Sequence, residues 1–352
     1  TQTGDNLPSP SNGVTVKASG LRMANQGRIL ANADGSGPSA SGNTSDVSIY
    51  SSGNIFIRSG SIISSDGPAL ADGGNIRIYS GGSMLLDGYP IKSDINYTGI
   101  SGRDIFFTAS GNIRVSDNFT ISGSSSLSPS TLSIDSGGNV SLSSGAYLSA
   151  KEYGYDSKSS LVDIRSSTFR MSGWDTHIEV KAGINPRLDL VTDKIISISD
   201  RSYIDLLSLS GSGIENIITG GGLIVQGGSQ VNASNFGLRD SGSPPTGASA
   251  LIHAEYLYLN GGILQAYTIA GGALIRLDGV QAVFAIGNTL NGAEYPGFVG
   301  SPKVEGGIPI YHGQKLSPGD KNFITVMNDR SSENIVVSGS LLNLSGDMAS
   351  LP

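Results

Sequence analysis

The chain contains the stretch Gly53–Asn54–Ile55–Phe56–Ile57–Arg58–Ser59–Gly60 and repeats it, with two substitutions, as Gly74–Asn75–Ile76–Arg77–Ile78–Tyr79–Ser80–Gly81. In both copies, two isoleucines that lie two positions apart follow a Gly-Asn pair and precede a Ser-Gly pair. A spacing of two residues is typical of a strand with one buried face, and glycine and asparagine are frequent in tight turns. Each copy is therefore predicted to form a turn and a short strand. Because the copies start 21 residues apart, we predict a repeating unit of about that length. The Gly-Asn start returns at residues 111 and 138, so the unit is expected to be irregular and to carry insertions.

The same apolar–x–apolar triplet continues along the chain, bracketed by Gly, Ser, Asn or Asp. It occurs at residues 14–16, 47–49, 113–115, 132–134, 140–142, 162–164, 178–180 and 196–198. A unit with two or three strands this short cannot bury its apolar face alone, whereas stacked units bury it and pair each strand with the strands above and below. One coil then provides the crossover that parallel pairing requires. We therefore predict an all-β chain that folds as a right-handed parallel β-helix, a β-solenoid. The alternative is a β-sandwich, which also uses short strands and glycine-rich turns.

The composition changes towards the C-terminus. Residues 250–300 contain no serine and are rich in apolar residues, which indicates continuing coils. Residues 287–321 contain four prolines, which are spaced too closely for regular strands. We therefore predict β-helix coils over residues 1–286, an irregular Pro/Gly-rich excursion or cap over 287–330, and terminal coil strands over 331–352.

The bulk composition excludes several classes of partner. The chain has 22 Lys and Arg residues against 29 Asp and Glu, a net charge of −7. Nucleic acids bind to clustered basic side chains, so no nucleic-acid partner is expected. No stretch approaches the roughly 18 apolar residues of a membrane-spanning helix, so we expect no membrane insertion. Because the chain has no cysteine, disulfides, thiolate metal sites and cysteine nucleophiles are excluded.

Motifs of common cofactor sites and hydrolases are missing. The chain has no G-x-G-x-x-G, G-x-x-x-x-G-K, H-E-x-x-H or G-x-S-x-G pattern. His253 and Glu255 alternate with apolar neighbours, so they share one face of a strand and could provide two ligands to a metal. A hydrogen-bonded structural histidine is the simpler interpretation. We therefore predict no cofactor, no metal and no catalytic residue.

An acidic region in the middle of the chain raises the alternative of an enzyme that acts on polysaccharides. β-Helix enzymes of this class collect carboxylates and basic residues on the outer face of neighbouring coils, for acid–base chemistry or to hold a cation against a uronate. Asp163 and Glu179 each lie between apolar residues, so both are expected to project outward, where they could stack on adjacent coils. A solvated acidic face is the simpler interpretation. The region comprises Asp163, Trp174, Asp175, His177, Glu179, Asp189, Asp193, Asp200 and Asp205.

Five residues are candidates for ligand contact. Trp174 is the only tryptophan; its glycine and aspartate neighbours predict a loop, and its ring could stack against a sugar. The other four lie in the predicted excursion and are Tyr295, Phe298, Tyr311 and His312.

Several turn phrases resemble the repeats of filamentous-haemagglutinin-like exoproteins, which are secreted by the two-partner pathway; autotransporter passengers are similar in style. The phrases lie at residues 52–55, 73–76 and 136–142, and the resemblance extends from residue 14 to about residue 150. It implies an exported bacterial surface rod used for adhesion, structure or cargo capture. The secretion domain of that family carries Asn-Pro-Asn-Leu-type motifs, whereas this chain has only Asn185–Pro186–Arg187–Leu188. We therefore expect an interior or C-terminal portion of such a protein, or a distant relative.

These observations predict a secreted, extracellular rod at the cell surface, with a structural and adhesive role and no enzymatic activity. One predicted partner is the chain itself, through end-to-end or lateral association into a fibre or sheath, because open sheet ends pair with further strands. The other is a glycan or a host or community surface, which would bind at the excursion. The alternatives are a polysaccharide lyase or glycoside hydrolase, and a glycan-binding adhesin that does not assemble.

Overall fold

A computed structural model describes residues 13–31, 45–65, 73–89, 98–125, 128–152, 159–209, 213–235, 248–260, 262–268, 273–278, 282–286, 303–305, 310–312, 323–328 and 334–338. Within these ranges the secondary structure consists of strands, β1 to β33 in chain order, and contains no helix. It follows that the described part has no helix long and apolar enough to cross a membrane.

The strands form three sheets, and all pairings between neighbouring strands in the described part are parallel. Sheet A contains, in chain order, β1 (Val14–Ala18), β4 (Val47–Ser51), β7 (Ile76–Ser80), β10 (Asp104–Ala109), β13 (Thr131–Ser136), β16 (Leu161–Ser166), β19 (Arg187–Thr192), β22 (Gly213–Thr219), β25 (Ala248–His253), β28 (Ala273–Asp278), β30 (Lys303–Glu305) and β33 (Asn334–Ser338).

Sheet B contains β2 (Leu21–Met23), β5 (Ile55–Arg58), β8 (Met84–Asp87), β11 (Ile113–Ser116), β14 (Asn139–Ser143), β17 (Thr168–Ser172), β20 (Ile196–Ile198), β23 (Gly222–Gln226), β26 (Tyr256–Asn260), β29 (Ala282–Ile286) and β31 (Ile310–His312). Sheet C contains β3 (Arg28–Leu30), β6 (Ile62–Ser64), β9 (Gly99–Gly102), β12 (Thr120–Ser125), β15 (Tyr147–Glu152), β18 (His177–Ala182), β21 (Tyr203–Ser208), β24 (Gln230–Asn235), β27 (Ile263–Thr268) and β32 (Phe323–Asn328).

The chain is therefore a parallel β-solenoid. Each coil from β1 to β27 contributes one strand to each sheet, and each strand pairs with the corresponding strands of the neighbouring coils. The prediction of an all-β solenoid is confirmed. The sandwich alternative is wrong, because a sandwich is built from antiparallel sheets.

The predicted 21-residue unit is wrong. Ile55 pairs with Met84 in sheet B, whereas Ile76 pairs with Val47 in sheet A, so the two copies of the repeated phrase lie in different sheets. A hydrogen bond between equivalent corner positions of two neighbouring coils joins residues 29 apart here, and 27 apart in a later coil. The phrase encodes a turn and a strand, and sheets A and B both use that local pattern, so its recurrence does not measure one coil.

Aliphatic side chains at alternating positions fill the space between the sheets. Val47, Ile76 and Ile105 occupy the same position in successive coils of sheet A, and all three are fully buried. Phe107 and Phe169 are among the largest fully buried side chains. This confirms that the apolar–x–apolar triplets place their outer residues inward.

Buried hydroxyl groups stabilise the corner between sheets A and B. Ser80 donates to the carbonyl oxygen of Gly53 at 2.8 Å, and Ser136 donates to that of Gly111, also at 2.8 Å. In each case the acceptor belongs to the preceding coil. The side chains therefore satisfy backbone groups that the strand ladders leave free at the turn.

Two successive left-handed residues form the corner between sheets B and C. Asp117 and Asn118 have φ angles of 54° and 59°, and the N–H of Phe119 donates to the carbonyl of Ser116 at 3.2 Å. This is the geometry of a type I′ turn, in which Asn, Asp and Gly are favoured because both central residues need a positive φ. Left-handed pairs recur at Asn25–Gln26, Ser59–Gly60, Ser144–Gly145, Asp200–Arg201 and Gly227–Gly228.

The part predicted as an irregular excursion contributes three strands to the same sheets. These are β30 in sheet A, β31 in sheet B and β32 in sheet C, and β33 lies between β28 and β30. The rest of residues 287–330 and most of the predicted terminal coil lie outside the described residues.

Candidate functional site

The acidic region does not form one cluster. Asp163 and Asp189 are register partners on sheet A, whereas Glu179 and Asp205 are partners on sheet C. Asp163 and Glu179 lie between buried residues and face outward, as predicted. The proposed stack of these two side chains is wrong, because they belong to different sheets. The remaining acidic residues of the region and the tryptophan lie at corners: Trp174, Asp175 and Asp200 between sheets B and C, and Asp193 between sheets A and B.

The outer face of sheet C carries a row of rings. Tyr147, His177 and Tyr203 are register partners on β15, β18 and β21. The ring centroids of Tyr147 and His177 are 5.4 Å apart, those of His177 and Tyr203 are 6.3 Å apart, and both pairs are edge-to-face. Such contacts contribute about 0.5–1.5 kcal/mol each beyond the area that they bury. Together with the polar residues beside them, Lys151, Glu179, Asp205 and Asn232, these rings form what we name the sheet C ladder.

One half of the sheet C ladder is centred on Glu179. The phenol of Tyr147 donates a hydrogen bond to Oε2 of Glu179, and Nζ of Lys151 lies 2.8 Å from the same oxygen. The ammonium of Lys151 is also 5.2 Å from the centroid of the Tyr147 ring. Each of these three side chains, which come from two neighbouring coils, therefore contacts the other two.

The other half of the sheet C ladder is centred on Asp205. Nε2 of His177 lies 2.8 Å from Oδ2 of Asp205, and the amide of Asn232 donates to Oδ1 at 2.7 Å. Both oxygens of this carboxylate therefore have partners, one from the preceding coil and one from the following coil.

The pKa shifts of the Glu179 half keep each group in one charge state. Burial, reinforced by the hydrogen bond to Glu179, raises the pKa of Tyr147 to about 12. Burial also opposes ionisation of Glu179, but hydrogen bonds from Lys151 and Tyr147 outweigh it and hold the pKa of Glu179 below its ordinary value. Burial works against the charge of Lys151, but hydrogen bonding to Glu179 and Tyr147 raises the pKa of Lys151. A general acid or base works best with a pKa near the operating pH, so these groups provide fixed charges and hydrogen bonds.

On the outer face of sheet A, Asp163 and Asp189 each have a donor of their own. Nε of Arg165 lies 3.2 Å from Oδ1 of Asp163, and Nε of Arg187 lies 2.8 Å from Oδ2 of Asp189. The amide of Asn216 donates to Oδ1 of Asp189 at 2.6 Å. In both ion pairs the arginine and the aspartate are two positions apart in one strand, a spacing that places them on the same face. Stacked aspartates are therefore tolerated because neighbouring cations and amides compensate their charge.

Trp174 projects from the corner between sheets B and C. Its side chain is 72% exposed, and the guanidinium carbon of Arg201, at the same corner of the next coil, lies 5.8 Å from its ring centroid. The left-handed residues Gly173 and Asp175 on either side of it make the corner turn sharply. The predicted loop position is confirmed, and the exposed ring is accessible to a ligand.

His253 ends β25, and Glu255 lies at the following corner; both are exposed. Within the described ranges, no group of three or more His, Cys, Asp or Glu side chains is arranged to hold a metal ion.

The four candidates in the predicted excursion differ in what the structure describes. Tyr311 and His312 belong to β31, where their backbones pair with Phe284 and Ala285. Tyr295 and Phe298 lie outside the described residues.

Sequence reasoning identified three members of the sheet C ladder, His177, Glu179 and Asp205. It missed the other four, which are Tyr147, Lys151, Tyr203 and Asn232. The hydrogen bond between Tyr147 and Glu179 spans 32 residues. The signal that would have found it is the register of sheet C, which places outward residues of successive coils in one row. That register depends on the true coil length, which the repeated phrase does not measure.

Comparison with known proteins adds no relative: no protein-family model, no curated protein and no solved structure matches this chain.

Proposed function

We propose that this chain is the rod-forming part of a secreted bacterial surface protein with a structural and adhesive role. The observation that supports this most directly is the continuity of the three sheets. From β1 to β27, every coil pairs with the next one in all three sheets, so the backbone hydrogen bonds run through the stack without a break. A stack of this kind extends in one dimension and suits a spacer on a cell surface.

The location of the rod is tested on the producing bacterium. Antibody labelling of intact cells, together with blotting of the culture medium, is expected to detect the chain outside the cell. A signal confined to lysed cells would contradict a secreted rod.

We further propose that copies of the chain associate laterally. Tyr50 and Tyr79 are register partners on the outer face of sheet A, and they are 44% and 43% exposed. Adjacent exposed aromatic rings favour contact with another protein surface.

In negative-stain microscopy at high concentration, the wild type is expected to form bundles or sheets, and the Tyr50→Ser/Tyr79→Ser double variant is expected to form fewer. The matched control is Trp174→Ser, which removes a more exposed ring from a different face. Dispersed wild-type monomers would contradict self-association.

Adhesion to glycans is the second candidate function, and the exposed ring of Trp174 beside Arg201 favours it. On a glycan array, wild-type binding is expected to fall in Trp174→Ala and to persist in Ile218→Ala, which truncates an exposed side chain on sheet A. Loss in Tyr295→Ala or Phe298→Ala, with Trp174→Ala unaffected, would place the contact in the predicted excursion. An array without signal for the wild type would reject glycan binding.

A polysaccharide-active enzyme remains the alternative that a direct assay distinguishes. The charge states of the sheet C ladder favour binding or structure over acid–base catalysis, because its shifts move away from neutral pH. Incubation with acidic polysaccharides is expected to release neither unsaturated nor reducing sugars. Release that disappears in Asp163→Ala or Asp193→Ala would overturn the non-enzymatic proposal.

A further inference from the structure

A carboxylate interrupts an aliphatic column in the core. Leu132, Val162 and Leu188 occupy one inward position in successive coils of sheet A, and Glu215 of β22 follows at the same position. The next residue of the column is Ala250. Glu215 is fully buried, so an acidic side chain stands where the preceding coils place an aliphatic one.

The carboxyl group of Glu215 has no partner in the described part of the chain. Neither Oε1 nor Oε2 of Glu215 has a hydrogen-bond partner there. A buried carboxylate without a partner is far less favourable when it is charged than when it is protonated. Burial, together with the negative charge of Asp205, raises the pKa of Glu215 to about 8.

The strands packed against β22 supply no compensating cation. On β21 the nearby charge is Asp205, which is negative. On β19, Arg187 and Asp189 pair with each other on the outer face, and on β25 the titratable residue His253 is exposed. β24 carries no titratable side chain. While β22 is paired with its neighbours, the buried side chain of Glu215 is therefore stable only in its protonated, uncharged form.

We propose that Glu215 makes β22 a proton-dependent weak point of the solenoid. With the carboxyl group protonated, β22 stays paired with β19 and β25; loss of that proton favours opening of the coil, because the open coil exposes the carboxylate to water. This pH-dependent opening is a property of the solenoid core and does not depend on the proposed surface function.

The direction of the pH dependence follows from the two protonation equilibria. In the closed coil the carboxyl group keeps its proton up to about pH 8, whereas in water it releases the proton near its ordinary value of 4.5. Between these values the open coil binds fewer protons than the closed coil, so a rise in pH favours opening by up to about tenfold per unit. Below and above this pH range, protonation of Glu215 no longer changes the equilibrium constant between the closed and the open coil.

Hydrogen exchange of the full chain tests the proposal. Amide exchange of peptides from β22 is measured by mass spectrometry from pH 5 to pH 9 and corrected for the chemical exchange rate. Wild-type protection of β22 is expected to fall between pH 5 and pH 8 and then to level off, whereas Glu215→Gln is expected to lack this fall. Peptides from β13, where Leu132 holds the equivalent position, serve as the internal control. Identical pH profiles of β22 in the wild type and Glu215→Gln would overturn the proposal.

A second variant covers the case in which the amide is not tolerated in the core. Glu215→Leu restores the aliphatic residue that Leu188 provides one coil earlier. In Glu215→Leu, the amide protection of β22 at pH 8 is expected to exceed that of the wild type. It is also expected not to fall between pH 5 and pH 8. A Glu215→Leu protein whose β22 protection still declines like the wild type would equally overturn the proposal.

Discussion

The phenol of Tyr147 donates its hydrogen bond to the carboxylate of Glu179 in the next coil, 32 residues further along the chain. Lys151, four residues after Tyr147 on the same strand, contacts that carboxylate as well. The contact joins β15 to β18 through side chains on the outer face, in addition to the backbone pairing of the two strands. The outer face of sheet C therefore contributes its own connection between coils.

Removal of the phenol hydroxyl tests the strength of this connection. In Tyr147→Phe, Glu179 keeps Lys151 but loses one donor, so the free energy of unfolding is expected to fall by about 1 kcal/mol. Urea unfolding followed by circular dichroism measures the change. The control is Tyr203→Phe, which removes a hydroxyl for which the described residues show no hydrogen-bond partner. Equal losses in the two variants would show that the contact with Glu179 has no particular role.

The pKa of Asp205 is expected to depend on Asn232. Burial opposes ionisation of Asp205, but hydrogen bonds from His177 and Asn232 outweigh it and hold the pKa below its ordinary value of 3.8. A carboxylate with a lowered pKa contributes stability that is present above pH 3.8 and is lost as the pH falls through the folded-state value. In Asn232→Ala the pKa of Asp205 is therefore expected to rise, and acid unfolding is expected to begin at a higher pH.

Carbon-13 NMR of labelled aspartate carboxyl groups measures this shift directly. The control is Asn216→Ala, which removes the corresponding hydrogen bond to Asp189 on sheet A and is expected to leave the titration of Asp205 unchanged. An Asp205 titration that is the same in the wild type and Asn232→Ala would contradict the assignment.

Substitution of two neighbouring phenylalanines, one in the core and one on the surface, compares the contribution of core packing to stability with that of a surface contact. Phe107 is about 1% exposed in the core, so Phe107→Ala is expected to cost about 3–5 kcal/mol of unfolding free energy. Phe106 faces outward, where the Arg77 guanidinium lies 5.5 Å from its ring centroid, so Phe106→Ala is expected to cost about 1 kcal/mol. Chemical unfolding of both variants gives the comparison. Similar losses would mean that β10 does not alternate between core and surface as described.

Two left-handed glycines at equivalent corners are expected to respond differently to alanine. Gly145 and Gly228 have φ angles of +77° and +76°, so each alanine variant is expected to lose about 1 kcal/mol from the backbone. At Gly145 a Cβ would lie 2.3 Å from Oδ1 of Asn118, whereas at Gly228 the nearest atom, of Arg201, is 3.5 Å away.

Gly145→Ala therefore displaces the Asn118 side chain, which donates to the carbonyl of Tyr89 at 2.8 Å. The loss of this bond is expected to add about 1 kcal/mol to the effect, as measured by thermal and urea unfolding. If Gly228→Ala is as destabilising as Gly145→Ala, the difference in contacts is irrelevant.

A side-chain acceptor at the corner between sheets A and B is expected to be replaceable by serine. Oδ1 of Asn112 accepts from the N–H of Asn139 at 2.8 Å, and one coil earlier Oγ of Ser83 accepts from the N–H of Asn112 at 3.1 Å. Asn112→Ala is expected to lower the unfolding free energy by about 1 kcal/mol and to speed amide exchange at Asn139. Asn112→Ser is expected to restore most of both, and failure of serine to do so would show that the acceptor is not what stabilises the corner.

The candidate residues could be predicted only as far as local alternation extends. Glu179 and Asp205 lie between apolar neighbours in sequence, and His177 lies two positions before Glu179 in the same strand, so their outward direction was predictable. That Glu179 stacks on Asp205 and not on Asp163 was not predictable, because it depends on which strands are neighbours. The parallel solenoid itself was predictable, because short strands with one apolar face must stack in order to bury it.

The amino-acid sequence by itself determined the short strands, the glycine-rich and asparagine-rich turns between them, and the stacking of coils. These properties follow from local alternation and local backbone preferences. Only the tertiary structure decided the coil length and which face of β22 points into the core. In β22 local alternation is ambiguous, because Ile214 and Ile218 lie on one face, and Glu215 and Ile217 lie on the other. The pairing of Leu188 with Glu215 turns the glutamate inward and leaves Ile218 exposed. A strand has only two faces, and a shift by one residue exchanges them, so the choice is made by the register with neighbouring coils.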